Sequence, residues 1–519
     1  MSGTLRHISF RRLGASAVQQ RFLEDDRELA QFLGQRARTV AELLRQAPTG
    51  AERLVRRDAL ANALVAYANK HGAPEAVLQN AEALRDSNVQ IVITGQQPGL
   101  CGGPLYTLHK AATAIRLCQK INAEAGAGGR RVVPVFWNHS DDHDFDEANR
   151  LFLVNQSQDV QRFRIERDRV GEPLRSIPVG RDVEKILEEV DALLPQTEFR
   201  DWAMSIFRPR HPNETFGDLQ ARLMFELFGQ HGLLVIEPRD LPPEAFEPLP
   251  RWWSKAHDVR DRVRNACEEL GDLGIDITLD PTATMMFELT GGRREPLADG
   301  EPAGRPQDLS PGVLLRPLWQ DAVLPTIAFV VGPGEFSYLA AVAPLYRLLG
   351  VPQPVFVPRA SLTLVEPSLQ RLLQRFSLDI PELEQGPERL AEQLHDEQGD
   401  ELGDALADLQ SRLGGDLDRI GQRLAKVDSS LTAALERARG KMIDELKRLD
   451  GKIKTVQQNR QGTGMRQIRR LCSVLRPRGR MQERVLGPLT YLVSHGSALA
   501  ETLVEAADPF RIEHGVLEL

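Results

Sequence analysis

Apolar residues in the first part of the chain recur at steps of three or four positions. Leu29, Phe32 and Leu33, and then Val40, Leu43 and Leu44, show this spacing, which together with Leu23 indicates one stripe of a helix. No strong helix-breaking residues separate them. The pattern predicts that residues 1 to about 87 are mainly helical.

The periodicity changes abruptly after residue 87. Residues 88–94 form a β-branched run that is typical of a strand, and the segment 95–104 that follows holds four glycines and two prolines. Helical spacing resumes over 105–121, and a second apolar strand is predicted at 132–137. A strand, a glycine loop, a helix and a strand in this order predict a βαβ unit with parallel strands.

Further short apolar runs alternate with helical segments. Strands are predicted at 233–237, 327–331 and 355–357, which favours an α/β fold with a doubly wound parallel sheet over residues 1–380. The pieces at about 151–230 and 245–320 are too long for simple crossovers and are interpreted as insertions with their own helices and small strands, one of them at 284–289.

The C-terminal part, 381–519, has the pattern of an α-helical coiled coil. Apolar residues step by three or four from Leu402 to Ile453, which predicts one long helix with an unpartnered stripe. Its expected partners are a returning helix from 465 to 505, after a reversal at 461–464, and a second subunit. A homodimer is therefore expected.

Composition narrows the class of protein. The chain of 519 residues is 41% apolar and 27% charged, and no apolar run approaches the roughly 20 residues of a transmembrane helix. Four scattered cysteines argue against a disulfide framework, so a cytoplasmic protein without a membrane partner is expected. The net charge of −8 gives no support for nucleic-acid binding by the whole chain.

Charge is nevertheless divided within the C-terminal part. Residues 382–440 hold 14 acidic and 7 basic residues, whereas 441–480 hold 12 basic and 3 acidic residues. Two interpretations remain open: an electrostatic match between the two stretches or between subunits, and a nucleotide phosphate site rich in arginine.

The glycine loop after the first strand is a candidate binding site, because ligands bind at the carboxyl ends of parallel strands. Glycines allow a close backbone approach to an anion, and the following helix N-terminus presents free N–H groups. A plain chain reversal is the structural alternative, although two adjacent glutamines suit ligand hydrogen bonds better than a turn. The candidate residues here are Gly95, Gln96, Gln97, Gly102, Gly103, Thr107, His109 and Lys110.

A second candidate follows the strand at 132–137. Residues 139–147 contain five acids and two histidines, which are costly to place together unless a cation binds them. The cluster suits Mg²⁺ beside a nucleotide, an α-amino group held by Asp141 or Asp142, or a divalent metal. Helix capping by Asp144 or Asp146 is the structural alternative, and no H-E-x-x-H zinc motif is present.

Two weaker segments complete the candidate site. Arg316 and Gln320 lie in the segment 314–320, and Glu335 lies in the first turn of a helix that follows another glycine loop at 332–334. Each suits a site at a strand end, and each could equally be an ordinary turn or cap.

Taken together, these segments carry a family resemblance. The motifs TGQQPGLCGGPLYTLHK, FWNHSDDHDFDE, LLRPLWQDAVLPT, GPGEFSYLAAVAPLY and VPRASLTLVEP, followed by the long helix and Gln482-Glu-Arg484, resemble the bacillithiol-synthesis cysteine ligase family (BshC) over nearly the whole chain. The resemblance implies a Rossmann-like core similar to class I aminoacyl-tRNA synthetases, with inserted connective elements and a coiled coil used for dimerisation. It also implies that cysteine is added to glucosaminyl-malate in the last step of bacillithiol synthesis. The chain departs from related nucleotidyl-transfer enzymes, since it has no H-I-G-H tetrad and no K-M-S-K-S loop.

This resemblance leads to a hypothesis of amide formation driven by ATP, with Mg²⁺ as a companion ion. The 95–103 loop would hold phosphate or the activated carboxyl group, and His109 and Lys110 would stabilise developing charge. Asp141, Asp142 and Asp144 would bind an amino group, with His143 as the base that deprotonates it. No residue is assigned to a resident metal.

Two other classes of protein stay open at this point. One is a metal-dependent hydrolase that uses the 139–147 cluster. The other is a non-catalytic nucleotide-binding scaffold with a coiled coil. Metal content and ligand-induced thermal stabilisation would separate these classes from a ligase.

Overall fold

The computed structural model describes residues 4–49, 54–125, 130–157, 159–167, 169, 171–277, 279–398, 401–424, 426 and 429–519. The strands are β1 (Leu5–Ser9), β2 (Gln90–Gln96), β3 (Val132–Asn138), β4 (Arg150–Val154), β5 (Val160–Arg164), β6 (Leu234–Ile236), β7 (Met286–Thr290), β8 (Arg293–Pro296), β9 (Leu309–Pro311), β10 (Thr326–Val331), β11 (Val355–Pro358), β12 (Leu362–Val365) and β13 (Glu513–Glu518). The helices are α1 (Ala17–Leu23), α2 (Ala30–Leu33), α3 (Val40–Gln46), α4 (Arg57–His71), α5 (Glu75–Ala83), α6 (Tyr106–Ala125), α7 (Phe145–Ala148), α8 (Gly180–Asp191), α9 (Arg200–Phe207), α10 (Phe216–Phe228), α11 (Pro248–Trp253), α12 (Ala256–Asp272), α13 (Arg316–Val323), α14 (Pro333–Val342), α15 (Pro344–Leu349), α16 (Pro367–Phe376), α17 (Pro387–Gln398), α18 (Glu401–Leu424), α19 (Ser429–Leu475), α20 (Leu489–His495) and α21 (Ala498–Ala506).

A parallel five-stranded sheet lies at the centre of the first part of the chain. Its order is β11-β10-β2-β3-β6, and every neighbouring pair runs parallel. All residues of β3 and β10 are buried, which explains their continuous apolar sequences. The predicted α/β fold with a doubly wound parallel sheet is confirmed.

The order of the strands defines where a ligand can enter. From β2 the chain moves through β3 to β6 on one side, and it later returns to β10 and β11 on the other side. The direction therefore reverses between β2 and β10. In open α/β sheets, the crevice at the carboxyl ends of such strands is the usual ligand site.

Helix α6 connects β2 with β3 and packs against the sheet. Its Ala114, Leu117 and Ile121 share one buried core with Val92 of β2 and Val330 of β10. Because α6 starts directly after the glycine loop, this core fixes its first turn relative to the sheet edge.

A second sheet joins the two ends of the chain. Its order is β1-β13-β12, with β13 antiparallel to β1 and parallel to β12. The helical prediction for residues 1–87 missed β1, because the partner of this short strand lies at the opposite end of the sequence. The remaining described elements of that stretch are helical.

Both long segments between sheet strands carry elements of their own. The first holds the antiparallel pair β4–β5 and helices α8 to α10. The second holds α11, α12 and a small antiparallel sheet of order β8-β7-β9. The β7 strand covers most of the run predicted at 284–289.

The chain forms two compact units, residues 1–366 with 481–519 and residues 367–480. This division differs from the predicted boundary between 380 and 381. Residues 481–519 belong to the first unit because β13 pairs with β1 and β12. Within the described part of the chain, no helix is both long and apolar enough to cross a membrane.

The second unit contains a helical hairpin rather than one long helix. Helix α18 ends at Leu424 and α19 starts at Ser429, and Arg439 of α19 donates to Asp418 of α18 at 2.7 Å. The apolar stripe predicted on a single helix is therefore divided between two antiparallel helices. The reversal predicted at 461–464 is wrong, since α19 continues through it to Leu475, and no returning helix spans 465–505. Val427 of the predicted stripe lies outside the described residues.

The two oppositely charged stretches meet inside the second unit. Arg469 pairs with Glu388 at 3.2 Å, and the buried Arg476 pairs with Glu384 at 2.9 Å. These contacts favour the electrostatic match over a phosphate site for these two arginines.

Candidate active site

A cavity of about 300 Å³ opens at the reversal point of the sheet. The ends of β2 and β3, the start of α13 and the start of α14 surround it, and Arg484 reaches it from the C-terminal segment. Its lining residues are Gly95, Gln96, Gln97, Tyr106, Lys110, Trp137, His139, Asp142, Glu147, Arg316, Pro317, Gln320, Phe329, Gly332, Pro333, Gly334, Glu335, Tyr338, Arg359 and Arg484.

Eight of the predicted site residues line this cavity. They come from all four candidate segments, so the structure brings the glycine loop, the acidic cluster and both weaker segments together. These eight residues are Gly95, Gln96, Gln97, Lys110, Asp142, Arg316, Gln320 and Glu335.

Lys110 connects the end of β2 with the first turn of α14. Its Nζ donates to the carbonyl oxygen of Gly95 at 2.8 Å and to Oε1 of Gln96 at 3.0 Å, and lies 2.7 Å from a carboxylate oxygen of Glu335. Burial lowers the pKa of Lys110, and the carboxylate of Glu335 opposes this shift. Glu335 also accepts from the N–H of Gly332 at 2.6 Å, so this ion pair fixes the start of α14.

Gly95 itself is required by close packing between β2 and β3. A Cβ atom on Gly95 would lie 2.6 Å from the carbonyl oxygen of Trp137. Glycine therefore occupies this point of the cavity lining because a side chain would collide with β3.

His139, Asp142 and Arg316 form a second polar group in the cavity. Nη1 of Arg316 lies 2.6 Å from Nε2 of His139 and 3.3 Å from a carboxylate oxygen of Asp142. Burial and the positive charge of Arg316 lower the pKa of His139 to about 3, so its imidazole is neutral at pH 7. Burial opposes the ionisation of Asp142, but His139 and Arg316 hold its pKa below the usual range.

Two further arginines line the cavity in different states. Arg359 is buried and donates to both carboxylate oxygens of Glu483, at 2.9 and 2.6 Å. The side chain of Arg484 is exposed and makes no hydrogen bond or ion pair with any other described residue. A free guanidinium in a cavity is suited to bidentate binding of a carboxylate or phosphate.

Glu147 is the acidic counterpart of the unpaired Arg484 in the cavity. It lines the cavity without an ion pair to any described residue, and burial with the charges of Asp144 and Asp142 raises its pKa. A carboxylate with a raised pKa is a stronger base than an ordinary one.

His109 does not line the cavity, contrary to its predicted catalytic role. Its side chain is fully buried, with Nδ1 2.9 Å from a carboxylate oxygen of Glu483. Burial lowers the pKa of His109, although Glu483 opposes the shift. Because α6 turns this residue toward the second sheet, His109 contacts the Arg359–Glu483 pair and lies outside the cavity lining.

Three residues of the acidic cluster also lie outside the cavity lining. Asp141 is buried and accepts from Nε of Arg239 at 2.8 Å, so its charge is already compensated. His143 lies 3.0 Å from Nη1 of Arg294. Asp144 caps α7 by accepting from the N–H of Glu147 at 2.9 Å. This is the helix-capping role that the sequence offered as the structural alternative for Asp144.

The later part of the glycine loop is structural. Gly102 and Gly103 have φ angles of +86° and +66°, and a Cβ on Gly102 would collide with Cδ2 of Leu223. Thr107 is buried and lies outside the cavity lining. The predicted phosphate loop is therefore reduced to its first three residues.

Sequence reasoning did not assign several residues that the fold places in the cavity. His139 and Glu147 belong to the acidic cluster at 139–147, and the high density of charged residues in that segment is a sequence signal that indicates a site. Arg359 and Arg484 lie in segments that contributed to the family resemblance, but nothing in their spacing connects them with β2. Within the described part of the chain, the 139–147 cluster does not gather three donors around one point as a metal site would.

The fold and the site define a Rossmann-like α/β protein with a polar cavity at the reversal point of its sheet and a separate helical hairpin unit. Comparison with known proteins narrows this class. Residues 4–360 match the family described as "Bacillithiol biosynthesis BshC, N-terminal Rossmann-like domain", and residues 362–519 match "Bacillithiol biosynthesis BshC, C-terminal coiled-coil domain". The chain belongs to the BshC family of bacillithiol biosynthesis.

Individual relatives agree with this family. A protein of Koribacter versatilis is 31% identical over 87% of this chain and 88% of its own length. Proteins of Heliobacterium modesticaldum and Salinibacter ruber are 32% and 31% identical, over 85% and 89% of this chain and 86% and 88% of their own lengths. All three carry the name "Putative cysteine ligase BshC".

Proposed function

We propose that the chain is a cysteine ligase that joins the carboxyl group of L-cysteine to the amine of glucosaminyl-malate. The reaction forms a carbon–nitrogen amide bond, completes bacillithiol synthesis and uses ATP. Family membership and the names of the relatives support the ligase class. The charged side chains that line the cavity support a substrate that carries carboxylates and an amine.

The observation that carries the proposal is the contrast between paired and free ionic groups. Arg316 and Arg359 are engaged with Asp142 and Glu483, whereas Arg484 is free. Glucosaminyl-malate carries two malate carboxylates, which a guanidinium binds well. Its amine is suited to the free carboxylate of Glu147.

Amide formation requires that a carboxylate oxygen be converted into a leaving group. ATP, when bound, supplies this activation, and the backbone N–H of Gly334 at the start of α14 is a donor for its phosphates. Gly332 and Gly334 bring the backbone to the cavity without side chains, and the amides of Gln96 and Gln97 face the same space. These donors fit a phosphate, with Mg²⁺ as its companion.

The chain's own residues then act on the amine. The amine nitrogen attacks the activated carbonyl carbon of cysteine, the new C–N bond forms, and the bond to the leaving group breaks. Glu147 accepts the proton that the nitrogen loses. In this scheme Glu147 takes the role predicted for His143, because Glu147 lines the cavity and His143 is held by Arg294.

A product assay tests the proposal. The purified full chain is incubated with cysteine, glucosaminyl-malate and ATP, and mass spectrometry follows the amide product together with AMP and ADP. Formation of the product only when all three compounds are present is expected. If no product forms and none of the three compounds raises the melting temperature, the scaffold class would be favoured instead.

We also propose that the second unit forms a homodimer. Leu409, Ile420, Met442 and Leu449 are exposed on α18 and α19, with Leu409 and Met442 exposed to 45% and 46%. Exposed apolar side chains that repeat along a helical hairpin favour a protein partner. A second copy would supply the matching helices.

A further inference from the structure

A second polar group lies outside the cavity lining, between α4, α10 and the end of β6. It consists of His71, the last residue of α4, Asp218 in the first turn of α10, and Glu237 directly after β6. One potential ligand atom from each residue lies within 4.8 Å of the other two. None of the three residues lines the candidate active site.

His71 presents a free nitrogen to this group. Its side chain is only 8% exposed, and Nε2 has no hydrogen-bond partner among the described residues. Nε2 lies 3.9 Å from Oδ1 of Asp218, which is too far for a hydrogen bond. Packing of the ring against Tyr67, with centroids 4.5 Å apart, holds the imidazole in this orientation.

Asp218 has one oxygen committed to the fold and one available. Its Oδ2 accepts from the backbone N–H and the hydroxyl of Thr215 at 3.0 and 2.8 Å, which completes a capping box. Its Oδ1 faces His71 and lies 3.6 Å from Nζ of Lys70. The Lys70 side chain is 53% exposed, so it can move into solvent when another cation takes its place.

Glu237 is a buried carboxylate without a compensating cation in contact. It accepts from the hydroxyl of Tyr67 at 2.8 Å and from the hydroxyl of Ser140, and it forms no ion pair with any described residue. Burial raises its pKa, as expected for a carboxylate without a nearby counter-charge. Gly217 leaves the room for this side chain, because a Cβ there would lie 2.6 Å from its Oε2.

We propose that His71, Asp218 and Glu237 bind a divalent transition-metal cation such as Zn²⁺. One imidazole nitrogen and two carboxylates form a donor set that Zn²⁺ accepts, with water as a fourth ligand. Two donors at roughly 2.0–2.2 Å from one zinc ion lie about 3 to 4 Å apart, which is close to the separation of His71 and Asp218. The ion would neutralise the negative charge of the two carboxylates, and the free imidazole nitrogen of His71 would coordinate it.

The proposed ion would support the active site without taking part in it. It would join the end of α4 to the start of α10 and to the residue after β6. Glu237 accepts from Ser140, whose chain neighbour His139 lines the cavity. A metal at this position would therefore fix the carboxyl ends of β3 and β6 behind the cavity.

The test uses the full-length chain after treatment with a chelator. Zn²⁺ is added in slight excess, loosely bound metal is removed by desalting, and the metal content is measured by mass spectrometry. Titration with Co²⁺, followed by its visible absorption, reports on the ligand geometry. We expect one zinc ion per chain, and at least a tenfold weaker affinity in His71→Gln and Glu237→Gln.

The matched control is His257→Gln. His257 is 88% exposed and lies 3.1 Å from Asp261 on α12, so it represents an adventitious surface site. Its substitution should leave the zinc content unchanged. Zn²⁺ should raise the melting temperature of the unsubstituted chain and of His257→Gln, but not that of His71→Gln.

Two results would overturn the proposal. One is a failure of the unsubstituted chain to retain Zn²⁺ or Co²⁺, which does not depend on the folding of any variant. The other is equal retention by a folded His71→Gln variant. Neither measurement uses ligase activity, so the proposed function and the metal site can fail separately.

Discussion

The guanidinium of Arg359 binds both carboxylate oxygens of Glu483 although the two residues lie 124 positions apart in the sequence. Both side chains are almost completely buried. His109 contacts the same carboxylate, and Ser361 donates to it at 2.8 Å. The C-terminal segment that carries Arg484 is therefore fixed to the rest of the first unit by a buried ionic network.

Replacement of Glu483 by glutamine should strongly destabilise the chain. The change leaves a buried arginine without its counter-charge, which typically costs about 3–5 kcal/mol. Denaturant unfolding of the variant measures this loss. Glu82→Gln is the control, because Glu82 pairs with Arg85 at the surface and its loss should change stability little. A Glu483→Gln variant as stable as the control would contradict the prediction.

Stability should decrease when the pH falls below about 6.5, with a contribution from His139. The pKa of His139 is about 3 in the folded chain, below its ordinary value of 6.5, so the unfolded chain binds more protons between these values. The folded state therefore loses stability as the pH falls, by about 2 kcal/mol from His139 between pH 7.5 and 5. The unfolding free energy of His139→Gln should depend less steeply on pH than that of the unsubstituted chain. An equal dependence on pH in both chains would contradict the contribution of His139. His257→Gln serves as the exposed control.

Replacement of Arg484 by alanine should weaken binding of glucosaminyl-malate and leave the fold intact. Arg484 is exposed and unpaired among the described residues, so its removal breaks no ionic contact there. Loss of one charged hydrogen-bonding partner should raise KM by about 10- to 100-fold, the equivalent of roughly 1.5–3 kcal/mol. The measurement is a steady-state assay of product formation. Arg347→Ala, at an exposed position outside the cavity lining, should keep the original KM.

Replacement of Glu147 by glutamine should lower kcat by about 100-fold or more, because the amine loses its proton acceptor. Since the base must be ionised, activity in the unsubstituted chain should fall as the pH drops through the raised pKa of Glu147. The variant should lack this acidic limb in its pH–rate profile. Asp146→Asn is the matched control, since Asp146 is the preceding residue but pairs with Arg164 outside the cavity. An equal loss of activity in both variants would exclude the proposed role.

Polar substitution of the exposed apolar residues on the hairpin should weaken the proposed dimer. A Leu409→Ser/Met442→Ser double variant removes two of them without opening a core cavity, because both are exposed. Sedimentation equilibrium should show a shift from dimer to monomer at micromolar concentration. The control is Ile512→Ser, which removes an exposed apolar side chain in the first unit. A chain that is monomeric before substitution would disprove the dimer.

Local pattern alone predicted most of the central sheet. The runs at 88–94, 132–137, 233–237, 327–331 and 355–357 correspond to its five strands, because buried parallel strands need continuous apolar sequences. The motif segments also reached one edge of the sheet as expected. The parallel arrangement of the strands brings every such loop to the same side.

Only the tertiary structure decided which members of each motif face the cavity. Lys110 and His109 are neighbours on α6, yet one faces the cavity and the other faces Glu483, since adjacent helical residues point in different directions. The hairpin of α18 and α19 could not be read from the apolar spacing, which continues across the turn. The pairing of β1 with β13, the contact of Arg359 with Glu483 and the grouping of His71, Asp218 and Glu237 depend on long-range packing, which no local sequence signal encodes.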